Sequence, residues 1–464
     1  MSAIQYDAII LGAGQAATPL AVALAEAGWK TALIEKEHVG GTCVNEGCTP
    51  TKTMVASARV AYLARRGADY GVNASNISVD MKRILERKRE IVNSFRSGSE
   101  RRVQKENLET FFGSGSFTSP TTVAVRLSNG ETKALTAKHI FINAGARPTK
   151  PTIPGLDTVP TLDSTSIMEL GEVPKHLLVL GGGYIGLEFA QMFRRFGSRV
   201  TVIQQSEQLL GREDADVAEE VAKILHEDSI DILLNTSTLK AEKVDGKICV
   251  TVKTPESERT LEGSHLLVAT GRTPNSDTLN LGAAGIETDK HGFIGVNDKL
   301  ETNVPNIYAL GDIKGGPAFT HISYDDFRIV KTNLLENGNA TTNGRMVPYT
   351  VFIDPQLGRI GLNETEAKEK GLTFRIAKIP MTYVARALEV DETRGFLKAI
   401  VDSNTEQILG FTALGLEGGE LASVVQVAMM GNLPYTFLRD GIFSHPGLAE
   451  SLNTLFSSGF DLSR

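Results

Sequence analysis

Apolar residues along this chain follow two periods. In "YDAIILGAGQAATPLAVALAEAGWKTALIE" (6–35) a continuous apolar run stops at Gly12 and Gly14, alanine and leucine then recur at helical spacing, and a second apolar run ends on Glu35. The runs predict buried strands, and the segment between them a long apolar helix. "LLVLGGGYIGLEFAQMFRRFGSRVTVIQ" (177–204) repeats the plan about 170 residues later, counting from Gly12 to Gly181. Each copy predicts a βαβ unit in which a G-x-G-x-x-G/A turn lets the backbone approach a pyrophosphate held at the helix N-terminus. One such glycine pattern also occurs in ordinary tight turns; two, each between strand and helix, are a much stronger signal.

Short apolar strands broken by glycine, "INAGARP" (142–148) and "VATGRTPN" (268–275), mark places where the chain crosses between domains, at Gly145 and Gly271. From about residue 345 the pattern becomes strand-rich, as in "YTVFIDPQLGRIGL" and "GFLKAIVDSNTEQILGFTALG", and predicts a separate α+β domain. The expected fold is α/β, with two Rossmann-like dinucleotide-binding domains, 1–150 with 271–344 and 151–270, and a C-terminal α+β domain, 345–464. "KRILERKRE", followed by Arg96, Arg101 and Arg102, could be a phosphate-binding patch. The interspersed Glu86 and Glu90, with Ile84, Leu85, Ile91 and Val92, instead predict a solvated amphipathic helix.

Composition narrows the partners. The 464 residues are 41% apolar and 22% charged, with a formal net charge of −7, which gives no general attraction to nucleic acid or to an anionic membrane. A small partner is expected. No apolar stretch reaches the ~18 residues of a membrane span, and the N-terminus enters a strand without the regions of a secretion signal, so a cytoplasmic location is expected. Three cysteines build no stapling framework, and a disulfide among them is expected to be redox-active.

Two of those cysteines lie in "GGTCVNEGCTPTK" (40–52), just before a segment that reads as a helix. On an ideal helix the side chains of Cys43 and Cys48 would diverge by about 140°, too far to bridge, at ~100° per residue. Gly47 and Pro50 are expected to supply the distortion, and a helix N-terminus would favour thiolate.

In the first βαβ unit Gly12, Gly14 and Ala17 hold the fingerprint positions, and Glu35 stands where a carboxylate accepts from a ribose 2′-hydroxyl, so FAD or NAD fits. The second unit has Gly181, Gly183 and Gly186, with Tyr184 and Ile185 between them, but its strand ends in Gln204 and Gln205 instead of an acid. A 2′-phosphate is then not repelled, and Arg212 lies a short loop away, which leans toward NADPH over NADH without settling the choice. Glu188, two residues past Gly186, is placed to pair with Lys52 if that helix faces the dithiol. Asp312 follows an apolar strand and suits a cofactor polyol, and His445 with Glu450 is a candidate acid-base pair. Cys249 in "KICVTVK" reads as core. Neither His321 nor any other histidine has metal-ligand spacing, and no metal ligand is expected.

"GAGQAA", "GGTCVNEGCTPTK", "GGGYIGLE", "ATGRTPN", "ALGD" and "HPGLAE" stand in the order found in the class I pyridine nucleotide-disulfide oxidoreductases, and the chain resembles that family from end to end. The resemblance implies FAD on 1–150 with 271–344, contacted by Gly12, Gly14, Ala17, Glu35, Gly41, Thr42, Lys52, Gly145 and Asp312. It places NADPH or NADH on 151–270, at Gly181, Gly183, Tyr184, Ile185, Gly186, Gln204 and Gly271. It makes Tyr184 a gate over the flavin, Lys52 and Glu188 an ion pair, Cys48 the charge-transfer thiol and Cys43 the exchange thiol. It further implies a homodimer through 345–464 in which His445, with Glu450, acts across the interface. Two positions depart from the family pattern: Gly447 replaces the usual threonine, and Ser451 the second glutamate.

Within the family, "VARALEVDETRGFLKAI" resembles mercuric reductases, yet the chain has neither their C-terminal cysteine pair nor a cysteine-bearing metal-capture domain. "ISYDDFRIV", "LPYTFLRDGIFSHP" and "ESLNTLF" are similar to the bacterial reactive-chlorine-resistance flavoproteins, described as copper(II) reductases. Three readings follow. The dithiol passes electrons to a soft metal ion, copper(II) or mercury(II), for which thiolates are suited ligands. Alternatively it reduces a small disulfide, such as lipoamide or a low-molecular-weight thiol dimer, for which the acid-base pair supplies a proton. The third reading is a redox-responsive flavin-binding protein with low turnover.

Overall fold

The computed structural model describes residues 3–460. The first βαβ unit runs from strand Ile4–Leu11 through helix α1 (Ala17–Glu26) to strand Thr31–Glu35. These strands lie inside a parallel sheet ordered Ile307–Ala309, Thr132–Ile142, Ile4–Leu11, Thr31–Glu35 and Leu108–Ser119. The two longest strands continue past that sheet and enclose Thr122–Leu127 in an antiparallel one. Between the second and third strands of the chain come α2 (Gly41–Asn45), α3 (Cys48–Arg65) and α4 (Met81–Arg102).

The second unit is a parallel sheet ordered His265–Val268, His176–Leu180, Arg199–Ile203 and Asp231–Leu233, with α5 (Tyr184–Phe196) following its first strand and α6 (Ala215–Glu227) its second. Both glycine turns thus lie at the carboxyl ends of strands, where open α/β sheets bind ligands. The chain passes between the units at Ala146–Pro148 and Arg272–Pro274, which pair antiparallel. The preceding Gly145 and Gly271 have φ of 66° and 134°, a region that glycine enters without steric cost. Helix α7 (Thr320–Leu335) leads to the C-terminal antiparallel sheet, ordered Tyr349–Val351, Gln356–Gly361, Ile408–Gly415, Phe396–Asp402 and Phe374–Pro380. Helix α8 (Glu364–Glu369) connects two of its strands.

One apolar core fixes the dithiol helix. Met54 and Ala58 of α3 pack with Leu187, Phe189 and Phe193 of α5 and with Val351 and Ile353 from the start of the C-terminal sheet. Met54 is fully buried, which stabilises by about 1.5–3 kcal/mol. The basic run forms the expected helix, α4, capped by Asp80, which accepts from the Arg83 N–H at 3.1 Å. Its basic face is not simply solvated, however. Lys88 is buried and donates to the Met168 carbonyl at 2.8 Å, Arg87 to the Thr53 carbonyl at 2.8 Å, and Arg96 to Asn45 Oδ1 at 2.7 Å, so α4 braces both α2 and α3. Among the described residues no helix is long and apolar enough to cross a membrane. The last four residues of the cysteine-free tail lie outside the described residues.

Candidate active site

The distortion between the two cysteines is a helix break. Cys43 sits in α2, Glu46 and Gly47 leave helical geometry, and Cys48 begins α3. A Cβ on Gly47 would lie 2.9 Å from the Thr42 carbonyl oxygen, so only glycine lets the two helices close on each other without a shift. Pro50 fits the same break, since a helix running on from α2 would set its ring against the Glu46 carbonyl. It lies in the first turn of α3, where a missing N–H costs nothing. Cys43 and Cys48 are free thiols, and both line one cleft of about 2040 Å³.

The two sulfurs are electrostatically unlike. The hydrogen bond from the Cys43 thiol lowers the Cys48 pKa to about 6, against burial; the Thr320 hydroxyl, 3.5 Å away, and the Lys52 charge also lower it. That same hydrogen bond to Cys48, followed by burial, pushes the Cys43 pKa upward. The uncapped N-terminus of α3 acts in the same direction, favouring the anionic form at Cys48 over Cys43. Lys52 Nζ lies 2.6 Å from Glu188 Oε2, while Glu188 Oε1 accepts from the Phe352 N–H at 2.8 Å. Lys52 also stands 4.8 Å over the Phe352 ring, so the ion pair joins α3, α5 and the C-terminal sheet beside the dithiol.

Both glycine turns open onto the same cleft. Neither α1 nor α5 has a side-chain cap or an acid in its first turn, so each N-terminus offers unshielded positive ends to an anion. Glu35 Oε2 accepts from the Ala13 N–H at 2.8 Å, and Gln204 Oε1 accepts from the Gly182 N–H at 2.9 Å. The two strand ends therefore close their turns identically, one with a carboxylate and one with a neutral amide. A Cβ on Gly186 would meet the Gly181 carbonyl oxygen at 2.2 Å, the close packing of helix on turn that the third fingerprint position requires. Gly12, Gly14, Gly41, Thr42, Gly145, Gly183, Tyr184, Ile185, Gly271 and Asp312 also line the cleft, whereas Ala17 and Gly186 pack behind it. Burial raises the Asp312 pKa, opposed by Arg272 and Lys314. Two uncapped helix ends, a carboxylate and an amide at the ribose positions, and Asp312 form a donor and acceptor set that fits two dinucleotides.

His445 Nδ1 and Glu450 Oε2 are 2.8 Å apart, and the His445 side chain is 70% exposed. Neither residue lines the cleft that holds the cysteines, so one subunit does not bring the dyad to its own dithiol. Gly447 accommodates the turn after the dyad histidine, its N–H donating to the Ser444 carbonyl at 2.8 Å. Cys249 is buried in strand Lys247–Lys253. The His321 ring stacks on Phe319 at 5.4 Å. Asp214, Asp216 and Glu364 are the one metal-like acidic group among the described residues, and the Lys398 ammonium already pairs with all three.

Sequence reasoning missed three residues at the site. Thr320 at the start of α7 reaches Cys48. Buried Asn143 donates to the Leu310 carbonyl at 2.7 Å and accepts from the Ala17 N–H at 3.3 Å, tying the first glycine turn to the strand before Asp312. Asp326, with no exposed surface, accepts from the Gly311 N–H at 2.8 Å and pairs with Arg345 at 2.7 Å, which fixes the turn bearing Asp312. "SYDD" carried one local signal, two adjacent acids in an otherwise amphipathic helix.

Residues 6–326 match the family described as pyridine nucleotide-disulphide oxidoreductase, and residues 347–456 match its dimerisation domain. The chain is 40% identical over 459 residues to the pyridine nucleotide-disulfide oxidoreductase RclA of Escherichia coli, covering 98% of this chain and 99% of that one. It is 36% identical to a mercuric reductase of Bacillus cereus, over 96% of this chain and 70% of the relative, and 30% identical to a dihydrolipoyl dehydrogenase of Geobacillus stearothermophilus, over 97% and 95%. Among solved structures, the Cu(II) complex of the HOCl-induced flavoprotein disulfide reductase RclA of E. coli matches with a TM-score of 0.90 at 39% identity, over 98% of this chain and 99% of that one.

Proposed function

Because the chain belongs to the pyridine nucleotide-disulphide oxidoreductases, FAD- and NAD(P)H-dependent enzymes with a redox-active disulfide, we propose that Cys43 and Cys48 are its redox pair and that they pass electrons to a soft metal ion, copper(II) or mercury(II). The observation that carries this reading is the dithiol itself: Cys43 and Cys48 both line the cleft onto which the two glycine turns open, with the Thr320 hydroxyl 3.5 Å from the Cys48 sulfur and the Lys52–Glu188 pair beside them. Thiolates are soft ligands, and a relative of 39% identity with the same fold is a Cu(II) complex.

FAD, when bound, supplies two-electron transfer between NAD(P)H and the disulfide. The first glycine turn, Glu35 and Asp312 would hold it, and the second turn with Gln204 would hold the nicotinamide nucleotide. Lys52 keeps the Cys48 sulfur anionic, and Glu188 keeps Lys52 in place. Cys43 releases its proton to solvent when a metal ion ligates it, whereas attack on a disulfide needs a base to take that proton. The exposed, Glu450-oriented His445 is that base, acting from the partner in a homodimer built through the C-terminal sheet. A dithiol that must be re-reduced suits a reducing compartment, and on that ground we place the protein in the cytoplasm.

The His445–Glu450 hydrogen bond favours a second reading, reduction of a small disulfide, since a leaving thiolate needs a proton. NAD(P)H consumption with copper(II), mercury(II), lipoamide and low-molecular-weight disulfides separates the two: the first reading predicts the highest kcat/KM with a metal ion.

A further inference from the structure

The loop that follows strand Arg199–Ile203 is held from outside its own unit. Gln204 Nε2 donates to the Gln208 carbonyl at 3.1 Å, and Gln208 Nε2 to the Glu213 carbonyl at 3.0 Å, so two amides stitch the loop from the glycine turn onward. Its far end is seized by the C-terminal sheet. The Arg212 carbonyl accepts from Asn363 Nδ2 at 2.9 Å and from Arg359 Nη1 at 3.2 Å. The buried Glu213 carboxylate meets Arg359 at 3.4 Å and accepts from the Tyr349 hydroxyl. Arg359 and Asn363 are each only 4% exposed, so these donors are built into the fold rather than lying on its surface. Arg212, by contrast, is exposed, lines the same cleft as Gln204, Gln205 and Ser206, and makes no ion pair among the described residues.

We propose that Asn363 and Arg359 are positioning residues for the nicotinamide-nucleotide site, holding the backbone of Arg212 so that its guanidinium receives the 2′-phosphate of NADPH. The ligand class is a nucleotide carrying a ribose 2′-phosphate. Gln204 leaves room for it, since its amide is spent on the turn and brings no negative charge to the ribose position. The guanidinium fork suits a phosphate dianion. The selectivity of the second unit is thereby set from the C-terminal sheet. This inference rests on the nucleotide-binding part of the functional reading alone and is independent of the terminal acceptor.

The test is calorimetric binding of adenosine 2′,5′-bisphosphate and of 5′-ADP to the flavin-loaded enzyme, in wild type, Arg212→Ala, Asn363→Asp and Asn363→Ala. Asn363→Asp keeps the side-chain oxygen that caps α8 by accepting from the Glu366 N–H at 2.8 Å, but loses the donor to Arg212. Wild type is expected to prefer the bisphosphate. Arg212→Ala is expected to weaken the bisphosphate about tenfold and Asn363→Asp about threefold, with 5′-ADP within about twofold in each. Equal or tighter binding of 5′-ADP by wild type would overturn the proposal. So would an Asn363→Asp variant that weakens both ligands alike, which would mark a merely structural role. Neither failure bears on dithiol turnover, which is measured separately.

Discussion

Thr320 Oγ1 lies 3.5 Å from Cys48 Sγ, joining the first residue of α7 to the first residue of α3 across 272 positions of sequence. One hydroxyl thus stands where the thiolate needs a donor, and it carries no charge that would attract competing anions.

The first prediction concerns that contact. Cys48 has its pKa lowered to about 6 from 9.0, so its thiolate form is favoured in the folded state. A depressed pKa contributes stability fully above the unfolded value and loses it as pH falls through the folded value. The reduced protein should gain stability as pH rises from about 6 toward 9. Alkylation of Cys48 in the reduced enzyme should rise through pH about 6, with Cys43 labelled far more slowly. Thr320→Val should move the midpoint upward and Thr320→Ser should restore it, both read from pH-dependent iodoacetamide labelling with mass detection.

The second concerns the ion pair. Glu188 is 3% exposed, so Lys52→Met leaves a buried carboxylate without its cation and should cost about 3 kcal/mol in denaturant unfolding. Pairing it with Glu188→Gln should recover most of that loss, a coupling that a double-mutant cycle measures. The single Lys52→Met variant should also raise the Cys48 pKa, because one of the charges that lowers it is gone.

A third follows from the matched strand ends at Glu35 and Gln204. Gln204→Glu restores a carboxylate at the ribose position and should raise the KM for NADPH about tenfold or more relative to NADH, read from steady-state kinetics with both nucleotides. Glu35→Gln should instead weaken FAD retention, read from flavin released on dilution.

Much of this was legible because it is local. The strand, glycine turn and helix of each βαβ unit lie within about 30 residues, and the carboxylate or amide that closes each turn stands at the next strand's end. Long-range placement was not legible. Thr320, Asn143 and Asp326 reach the site only because α7 and strand Thr132–Ile142 pack beside the first turn, and no periodicity announces such contacts. The basic residues of α4 read as a solvated face since sequence does not show that Lys88 points at the Met168 carbonyl. The break at Gly47 was foreseeable from the need to bring two sulfurs together. Pro50 belongs to the same signal, because a proline four residues past Glu46 disfavours a helix continued from α2.

The measurement that tests the account most directly is steady-state NAD(P)H consumption by the flavin-loaded enzyme, with copper(II), mercury(II) and a small disulfide as acceptors, in wild type, Cys43→Ser and His445→Ala. The account predicts metal-dependent turnover that falls at least a hundredfold in Cys43→Ser and survives within about fivefold in His445→Ala, because a bound metal ion needs thiolates but no proton for a leaving group. Metal-dependent turnover unchanged in Cys43→Ser, or turnover confined to the disulfide and lost in both variants, would contradict it.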